Sequence, residues 1–363
     1  MKIPYINLKD QWEDDKKELL PIIESILSLG IYVGGEEVEK FEENIINYCK
    51  SKYCVALNSG TDALTLALHT CGIKKGDEVI TTSNSFIAST AVISHLGAKP
   101  VFVDVQEDQN IDPTKIEKAI NSKTKAIMPV HLTGRICEMK LIDEIATKNN
   151  LIIIEDAAQA IGSQYNNQYS GTFGKVGCFS THPLKNLNAC GDGGFIITND
   201  EKIYNKIRSL RTHGMVERDI IYDFGYVSRM DNLQAAILNY RIKNLDQIIE
   251  KRRLNAKKYF EKLDRKKIFI PDEKKIEFNS YHTFVIQSNN RDNLKKYLKE
   301  NHIETAIHYP IPIHLQPAAK FLNYKKGDFP MVEKQANEIL TLPINQYLSD
   351  TEINKIIELI NGF

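Results

Sequence analysis

The sequence predicts an α/β fold: a seven-stranded, mostly parallel sheet between helices, followed by a smaller C-terminal α+β domain. Three observations carry this. Seven short apolar runs have the length and β-branched content of buried strands: Tyr53–Leu57, Glu78–Thr81, Pro100–Val103, Ala126–Val130, Leu151–Ile154, Gly177–Phe179 and Phe195–Thr198. Segments of helical periodicity, such as 62–70 and 141–148, separate the first five, and helical crossovers are how parallel strands are joined. The last two runs lie close together in sequence and are expected to pair antiparallel.

The elements follow in order. Leu19, Ile22, Ile23, Ile26 and Leu27 have helical spacing, so the chain to about Leu29 is read as an arm and a helix. Tyr32-Val33-Gly34-Gly35 reads as a turn before the amphipathic run from Glu36 to Tyr48. After the seven runs, a polar helix is expected from Asp231 through Lys262, since neither Gly nor Pro interrupts it. The domain change is placed inside it, giving a large domain over 1–245 and a small one over 246–363. The small domain reads as a strand at Tyr281–Gln287, a helix at Arg291–Asn301, a strand at Ile303–Tyr309 and a helix at Asp350–Leu359.

Charge excludes some functions. Lys plus Arg and Asp plus Glu are each 47, so the chain lacks the basic footprint of a nucleic-acid binder. Any anionic substrate is therefore met by local groups. No stretch approaches the ~20 apolar residues that span a bilayer, and Met1–Tyr5 lacks the apolar region of a secretory signal. The six cysteines form no CxxC pair and have no metal-ligand spacing with histidine. A cytoplasmic enzyme with no metal, membrane or nucleic-acid partner is expected.

The chemistry centres on Lys185, on a loop between the sixth and seventh runs. An amine placed between core strands suits a Schiff base with a carbonyl compound, provided its pKa is depressed. Asp156 follows an aliphatic run, at the strand edge where open α/β sheets bind ligands. A Schiff-base lysine with such a carboxylate is the pair that pyridoxal phosphate requires, because the carboxylate keeps the pyridine nitrogen protonated. Ser59-Gly60-Thr61-Asp62 lies between a strand and a helix, and a helix N-terminus cradles phosphate with its free N–H groups. Gly60 and Thr61 are the residues assigned to that cradle. No GxGxxG follows any of the strands, which argues against a nicotinamide-dependent oxidoreductase.

Asn58 to Leu64, Glu155 to Gly162, Phe179 through Asn186 and Gly191 to Gly194, in this order, closely resemble the nucleotide-sugar aminotransferases. These are pyridoxal-phosphate enzymes of the aspartate-aminotransferase-type fold. The resemblance runs from about Ile3 to the C-terminal helix. It implies that Ser180 contacts the cofactor phosphate, Gln159 bonds the ring hydroxyl, and Phe86 stacks on the pyridine face, where core packing is the competing reading. It places Tyr32 and Gly34 near the sugar end of the site. His131-Leu132-Thr133-Gly134-Arg135 and His182 match positions near the reacting centre, and His182 is a candidate for influencing proton transfer. Relatives carry Asn where Val227 stands, often reaching the partner's cofactor phosphate across a dimer. Arg229 is the candidate substitute.

His308-Tyr309-Pro310-Ile311-Pro312-Ile313-His314-Leu315-Gln316-Pro317 resembles a loop that lines the nucleotide-sugar pocket, so His308, Tyr309 and His314 are expected to touch substrate. Its form is closer to enzymes acting at C-3 of a dTDP-linked keto sugar than to those acting at C-4. The resemblance implies transamination from L-glutamate to a nucleotide-linked keto sugar, in a homodimer with shared active sites. The alternatives are a C-4 aminotransferase on a UDP- or GDP-linked 4-keto sugar and a non-catalytic, cofactor-binding regulator. A sugar 3-dehydratase, which has His in place of the lysine, is disfavoured by Lys185.

Overall fold

The computed structural model describes residues 2–217 and 220–363. Seven strands form the central sheet: β1 (Tyr53–Leu57), β2 (Glu78–Thr82), β3 (Lys99–Val103), β4 (Thr124–Ile127), β5 (Ile152–Asp156), β6 (Val176–Ser180) and β7 (Gly194–Thr198). Their order across the sheet is β1-β7-β6-β5-β4-β2-β3. The pairs from β3 to β6 are parallel, while β7 runs antiparallel to both β1 and β6. All seven expected runs are strands, and the expected antiparallel pair is β6 with β7.

Alternation along each strand divides the core into two layers. On one face Val55, Leu57, Cys178 and Ile196 pack with the helix Gly60–Thr70. On the other, Cys54, Ala56, Phe179, Phe195 and Ile197 pack with Phe41 and Ile45 of the helix Glu36–Cys49. Phe179 and Phe195 stack at 4.7 Å where β6 meets β7. Glu36, Glu37 and Glu39 in the first turn of that helix complement its dipole.

A separate core gathers Tyr259, Phe284, Ile286, Leu340, Leu342, Ile353 and Ile356. It is built on β8 (Phe284–Gln287) and β9 (Ile339–Leu342), which pair antiparallel. β9 was not expected. The expected strand over 303–309 forms only two isolated bridges, Ile3 with Ile303 and Ala306 with Thr341. Ile3 is fully buried in this second core, so the N-terminal arm, grouped above with the large domain, packs into the small one.

The single helix expected over 231–262 is two, Asn232–Arg241 and Leu245–Lys262, joined by a 3-10 turn at Ile242–Asn244. A 3-10 turn needs no Gly or Pro to redirect a helix. The first piece is tied down by Arg241, whose Nε donates to Asp15 at 3.0 Å, and by Asn239, whose amide donates to Glu37 at 2.7 Å. The second piece spans both cores: Leu245 and Ile249 pack against the sheet, Ala256 and Tyr259 in the second core.

Candidate active site

The cleft opens where β5 and β6 end. Adjacent residues of β5 point to opposite faces, so its last two carboxylates have different surroundings. Glu155 is fully buried, and its oxygens accept from the N–H groups of Gly171, Phe173 and Gly174 and pair with His131 Nε2 at 2.9 Å. It holds the loop after β5 in place. Asp156 is also buried but accepts fewer bonds, from Ser89 Oγ at 2.6 Å and from the Ala158 N–H at 3.2 Å. A carboxylate has about four acceptor sites, so Asp156 keeps capacity for a further donor. The Ser89 N–H donates to the Phe86 carbonyl, at 3.3 Å, which couples the loop of Phe86 to Asp156.

Gln159 is oriented by the loop of His131–Arg135. The Thr133 N–H donates to Gln159 Oε1 at 2.8 Å, which turns the amide nitrogen towards Tyr309, whose hydroxyl lies 3.5 Å away. Nε2 is thereby presented as a donor in the cleft. Arg135 from the same loop faces elsewhere, pairing with Glu277 at 2.8 Å.

Lys185 sits on the tight loop from β6 to β7. Its N–H donates to the His182 carbonyl at 2.8 Å, and the next residue, Asn186, donates from its side chain to the Ser280 carbonyl at 2.9 Å. Asn188 closes the loop by donating to the Pro183 carbonyl at 2.7 Å. Burial pushes the Lys185 amine down to about 8, opposed only in part by the negative charge of Asp156. An amine of that pKa has an appreciable neutral, nucleophilic fraction near neutrality.

The phosphate end is built by close approach. Ser59 Oγ caps the helix Gly60–Thr70 by accepting from the Asp62 N–H at 3.0 Å, leaving the Gly60 and Thr61 N–H groups as free first-turn donors. A side chain at Gly60 would put its Cβ 2.6 Å from Ser180 Cβ, and one at Gly194 would meet the Ser59 backbone at 2.4 Å. Only glycines let β6, β7 and this turn converge. With a free donor pair, the Ser180 hydroxyl, an amine of lowered pKa, and a carboxylate with spare acceptor capacity, the residues present fit pyridoxal phosphate.

Other expected residues are placed differently. Phe86 is 58% exposed, so core packing does not account for it; its ring is tilted against Tyr309 at 6.2 Å. His182 is exposed and its Nδ1 accepts from the Leu184 N–H at 3.3 Å, so it shapes the lysine loop and does not pack in a core. His314 is a correction. Its side chain is wholly buried, with Nδ1 3.2 Å from Ser83 Oγ and Nε2 3.1 Å from Glu333, and a ring with both nitrogens engaged has none left for substrate. Tyr32 and Gly34 lie on an exposed turn, where the Tyr32 carbonyl accepts from the Asn232 N–H at 2.9 Å. Arg229 is half-buried beside Ser228, which donates to Asn58 at 3.2 Å next to the phosphate turn.

The far wall comes from residues beside the second core and from the arm. His308 bonds Thr341 Oγ1 through Nδ1 at 2.9 Å and packs against Tyr5 at 5.8 Å. Burial and the charge of Lys185 push His308 down to about 4, so it is neutral at physiological pH. Sequence reasoning missed His282, which burial and then Lys185 also hold well below the usual histidine range. It missed Tyr5, Ser89 and Asn186 as well. The Lys-Asn pair at 185–186 offered a signal for Asn186.

Residues 13–361 match the DegT/DnrJ/EryC1/StrS aminotransferase family. The chain belongs to this family. The aminotransferase is 40% identical to the "Pleiotropic regulatory protein" of Geobacillus stearothermophilus, over 100% of this chain and 99% of that one. It is also 40% identical to the dTDP-3-amino-3,6-dideoxy-alpha-D-galactopyranose transaminase of Aneurinibacillus thermoaerophilus, over 99% of each chain. Its fold is similar to that of DesV from S. venezuelae, solved in complex with a ketimine intermediate: TM-score 0.96, 36% identity, 99% of this chain and 98% of that one. The aspartate-aminotransferase-type fold and pyridoxal phosphate as cofactor, both expected above, hold for this aminotransferase.

Proposed function

We propose that this aminotransferase moves an amino group from L-glutamate to a keto group of a nucleotide-linked 6-deoxyhexose, specifically C-3 of a dTDP-3-keto-6-deoxyhexose. The product would serve surface polysaccharide, such as lipopolysaccharide, made from the cytoplasm. Among the described residues no helix is long and apolar enough to cross a membrane. The observation that carries the reading is the pairing in one cleft of Lys185, its amine pushed down to about 8, with the buried, incompletely satisfied carboxylate of Asp156. The names of relatives at 40% and 36% identity that act on dTDP-3-amino sugars support the sugar and its position.

Bound pyridoxal phosphate supplies the electron sink that carbanion chemistry needs. Lys185 Nζ would hold the cofactor and, as a free amine, would take the proton from the donor's α-carbon. Asp156 would keep the pyridine nitrogen protonated. Gln159 Nε2 would serve the ring oxygen, Gly60, Thr61 and Ser180 would hold the phosphate, and Phe86 would contact the ring. His308 and Tyr309, at the far wall, face the sugar.

A homodimer with shared sites goes with this reading. Tyr32 at 55%, Val227 at 56% and Phe224 at 99% exposure leave large apolar groups uncovered on one chain, and Tyr32 and Val227 neighbour the candidate sugar and phosphate residues Gly34 and Arg229. Mixing Lys185→Ala and Arg229→Ala chains tests sharing: if Arg229 acts across the interface, mixed dimers recover activity that neither parent shows. The substrate is tested by single turnover with L-glutamate and a panel of dTDP-, UDP- and GDP-linked 3-keto and 4-keto sugars. Amination of dTDP-3-keto sugars is expected; amination only of UDP- or GDP-linked 4-keto sugars would replace this assignment with the C-4 reading.

A further inference from the structure

The loop His131–Arg135 contains a residue whose backbone does not suit its side chain. Thr133 has φ +64°, in the left-handed region, where a β-branched side chain crowds its own main chain. A residue stays in such a conformation only where the surrounding structure holds it there. What the turn delivers is the Thr133 N–H, which donates to Gln159 Oε1 at 2.8 Å. The strained backbone therefore decides which end of the Gln159 amide faces the cleft.

Two sets of contacts hold the turn. The segment 280–283, beside the second core, grips it from one side. The Thr133 carbonyl accepts from the Thr283 N–H at 3.3 Å, and the Gly134 carbonyl from Ser163 Oγ at 2.6 Å and the Ser280 N–H at 3.2 Å. Backbone approaches backbone here, since a Cβ at Gly134 would lie 3.0 Å from the Tyr281 and His282 nitrogens. The other set comes from Arg135, a charged residue only 6% exposed. Its Nη2 donates to the Asp272 carbonyl at 2.8 Å and lies 2.8 and 3.0 Å from the two Glu277 oxygens. Nε stands 3.5 Å from Asp108. Behind the turn is a cavity lined by Asp108, Gln109, Asn279 and Thr283, so packing alone does not keep Thr133 in place.

We propose that Arg135 is a positioning residue for the cofactor. By tying the loop to Asp272 and Glu277 it keeps Thr133 left-handed, and Thr133 keeps the Gln159 amide nitrogen turned towards the ring oxygen. This rests on the role of Gln159 proposed above. An amide free to rotate would present its oxygen as well as its nitrogen, and two acceptors facing one another make no hydrogen bond. Ser280 also links this turn to the lysine loop, because its carbonyl accepts from the Asn186 side chain at 2.9 Å. Arg135 itself needs no contact with the cofactor for this.

The test titrates full-length apo-protein with pyridoxal phosphate and reads the affinity and the absorbance maximum of the bound cofactor. Circular dichroism and the denaturation midpoint of the apo-protein are the controls for folding. Wild type is compared with Gln159→Ala, with Arg135→Gln plus Glu277→Gln, and with that pair plus Thr133→Gly. Glu277→Gln is included so that the Glu277 carboxylate is not left buried without its guanidinium. The pair should bind the cofactor about tenfold more weakly and share the absorbance shift of Gln159→Ala. Glycine adopts a left-handed φ readily, so adding Thr133→Gly should restore the absorbance and bring affinity to within about threefold of wild type, with Arg135 still absent. Arg135→Lys, which keeps the charge without the planar fork, should show the same shift at smaller size and carries the test if the pair does not fold. Wild-type affinity and absorbance in the Arg135 variants, or a loss that Thr133→Gly does not rescue, overturns the proposal and leaves Gln159 in its role. Unaltered binding and absorbance in Gln159→Ala would instead remove Gln159 from the cofactor site, and the proposal would fall with it.

Discussion

The two sides of the cleft are built by different means. On the sheet side, Asp156, Gln159 and Gly60 lie at a strand end or a short turn beyond it, held by main-chain bonds or by glycine contacts. Asp156 ends β5, Gln159 is turned by the Thr133 N–H, and Gly60 packs on Ser180. On the far side, His308, Tyr309 and His282 come from the second core and from a proline-rich loop, and side-chain neighbours decide what each one does. His308 and His314 lie six residues apart in one loop, but one faces the cleft and the other is locked between Ser83 and Glu333.

The sharpest way to break this contrast is to remove the amine. Lys185→Ala is expected to abolish turnover and the absorbance of the attached cofactor, while far-UV circular dichroism stays native. Residual transamination, or attachment to Lys175 instead, would refute the assignment. The amine must be neutral to attack, and burial has brought it down from 10.5 to about 8. The neutral fraction grows as pH rises through that value, so attachment of the cofactor to the apo-protein should accelerate up to about pH 8 and then level off. A rate still climbing steeply beyond pH 10 would mean the lysine behaves as an exposed one.

Asp156→Asn comes next. A neutral amide does not hold the pyridine proton, so the donor half-reaction should slow by roughly 10²-fold or more. Stopped-flow absorbance with L-glutamate measures it, and a near wild-type rate would place Asp156 outside the site. Ser89→Ala should have a smaller effect. It removes the 2.6 Å donor to Asp156 Oδ2 but keeps the carboxylate and its bond from the Ala158 N–H, so a loss of about tenfold is expected. If Ser89→Ala slowed the reaction as much as Asp156→Asn, the carboxylate would depend on this hydroxyl for its position.

The same contrast explains what was legible in the sequence. The β5 run with its terminal acid, the Gly60 turn and the lysine loop are local patterns, and a parallel sheet brings its strand ends together whatever the loops do. The mostly parallel sheet and the antiparallel β6–β7 pair were readable for that reason. The far side depends on contacts between residues remote in sequence. Nothing near Tyr5 says that it will lie against His308, 303 positions later, and nothing in the helix Leu245–Lys262 marks Arg252 as the member that faces a cavity. The 3-10 turn at Ile242–Asn244 was hidden for a related reason: it is set by bonds from Asn239 and Arg241 to other helices, and no breaker residue announces it.

His314 gives the smallest catalytic effect and so the finest test of the contrast. Its ring joins the loop to the large domain through Ser83, at the end of β2, and to the helix Pro330–Glu338 through Glu333, with Phe329 edge-on at 4.8 Å. Replacing it by Ala leaves the buried Ser83 hydroxyl without its partner and a void against Phe329, while Glu333 keeps the Gly327 N–H at 2.7 Å. An unsatisfied buried partner costs about 1–3 kcal/mol, so His314→Ala should lower the denaturation midpoint clearly. A catalytic role is not expected, so kcat and the KM for the sugar should stay within about twofold of wild type at temperatures where the variant remains folded. His308→Ala provides the comparison, because it should raise the sugar KM with a smaller loss of stability: its ring is half-buried and gives up one bond, to Thr341. If instead His314→Ala raised the sugar KM at full stability, the inner end of the loop would also belong to the recognition surface. The division between a recognising His308 and a bracing His314 would then fall.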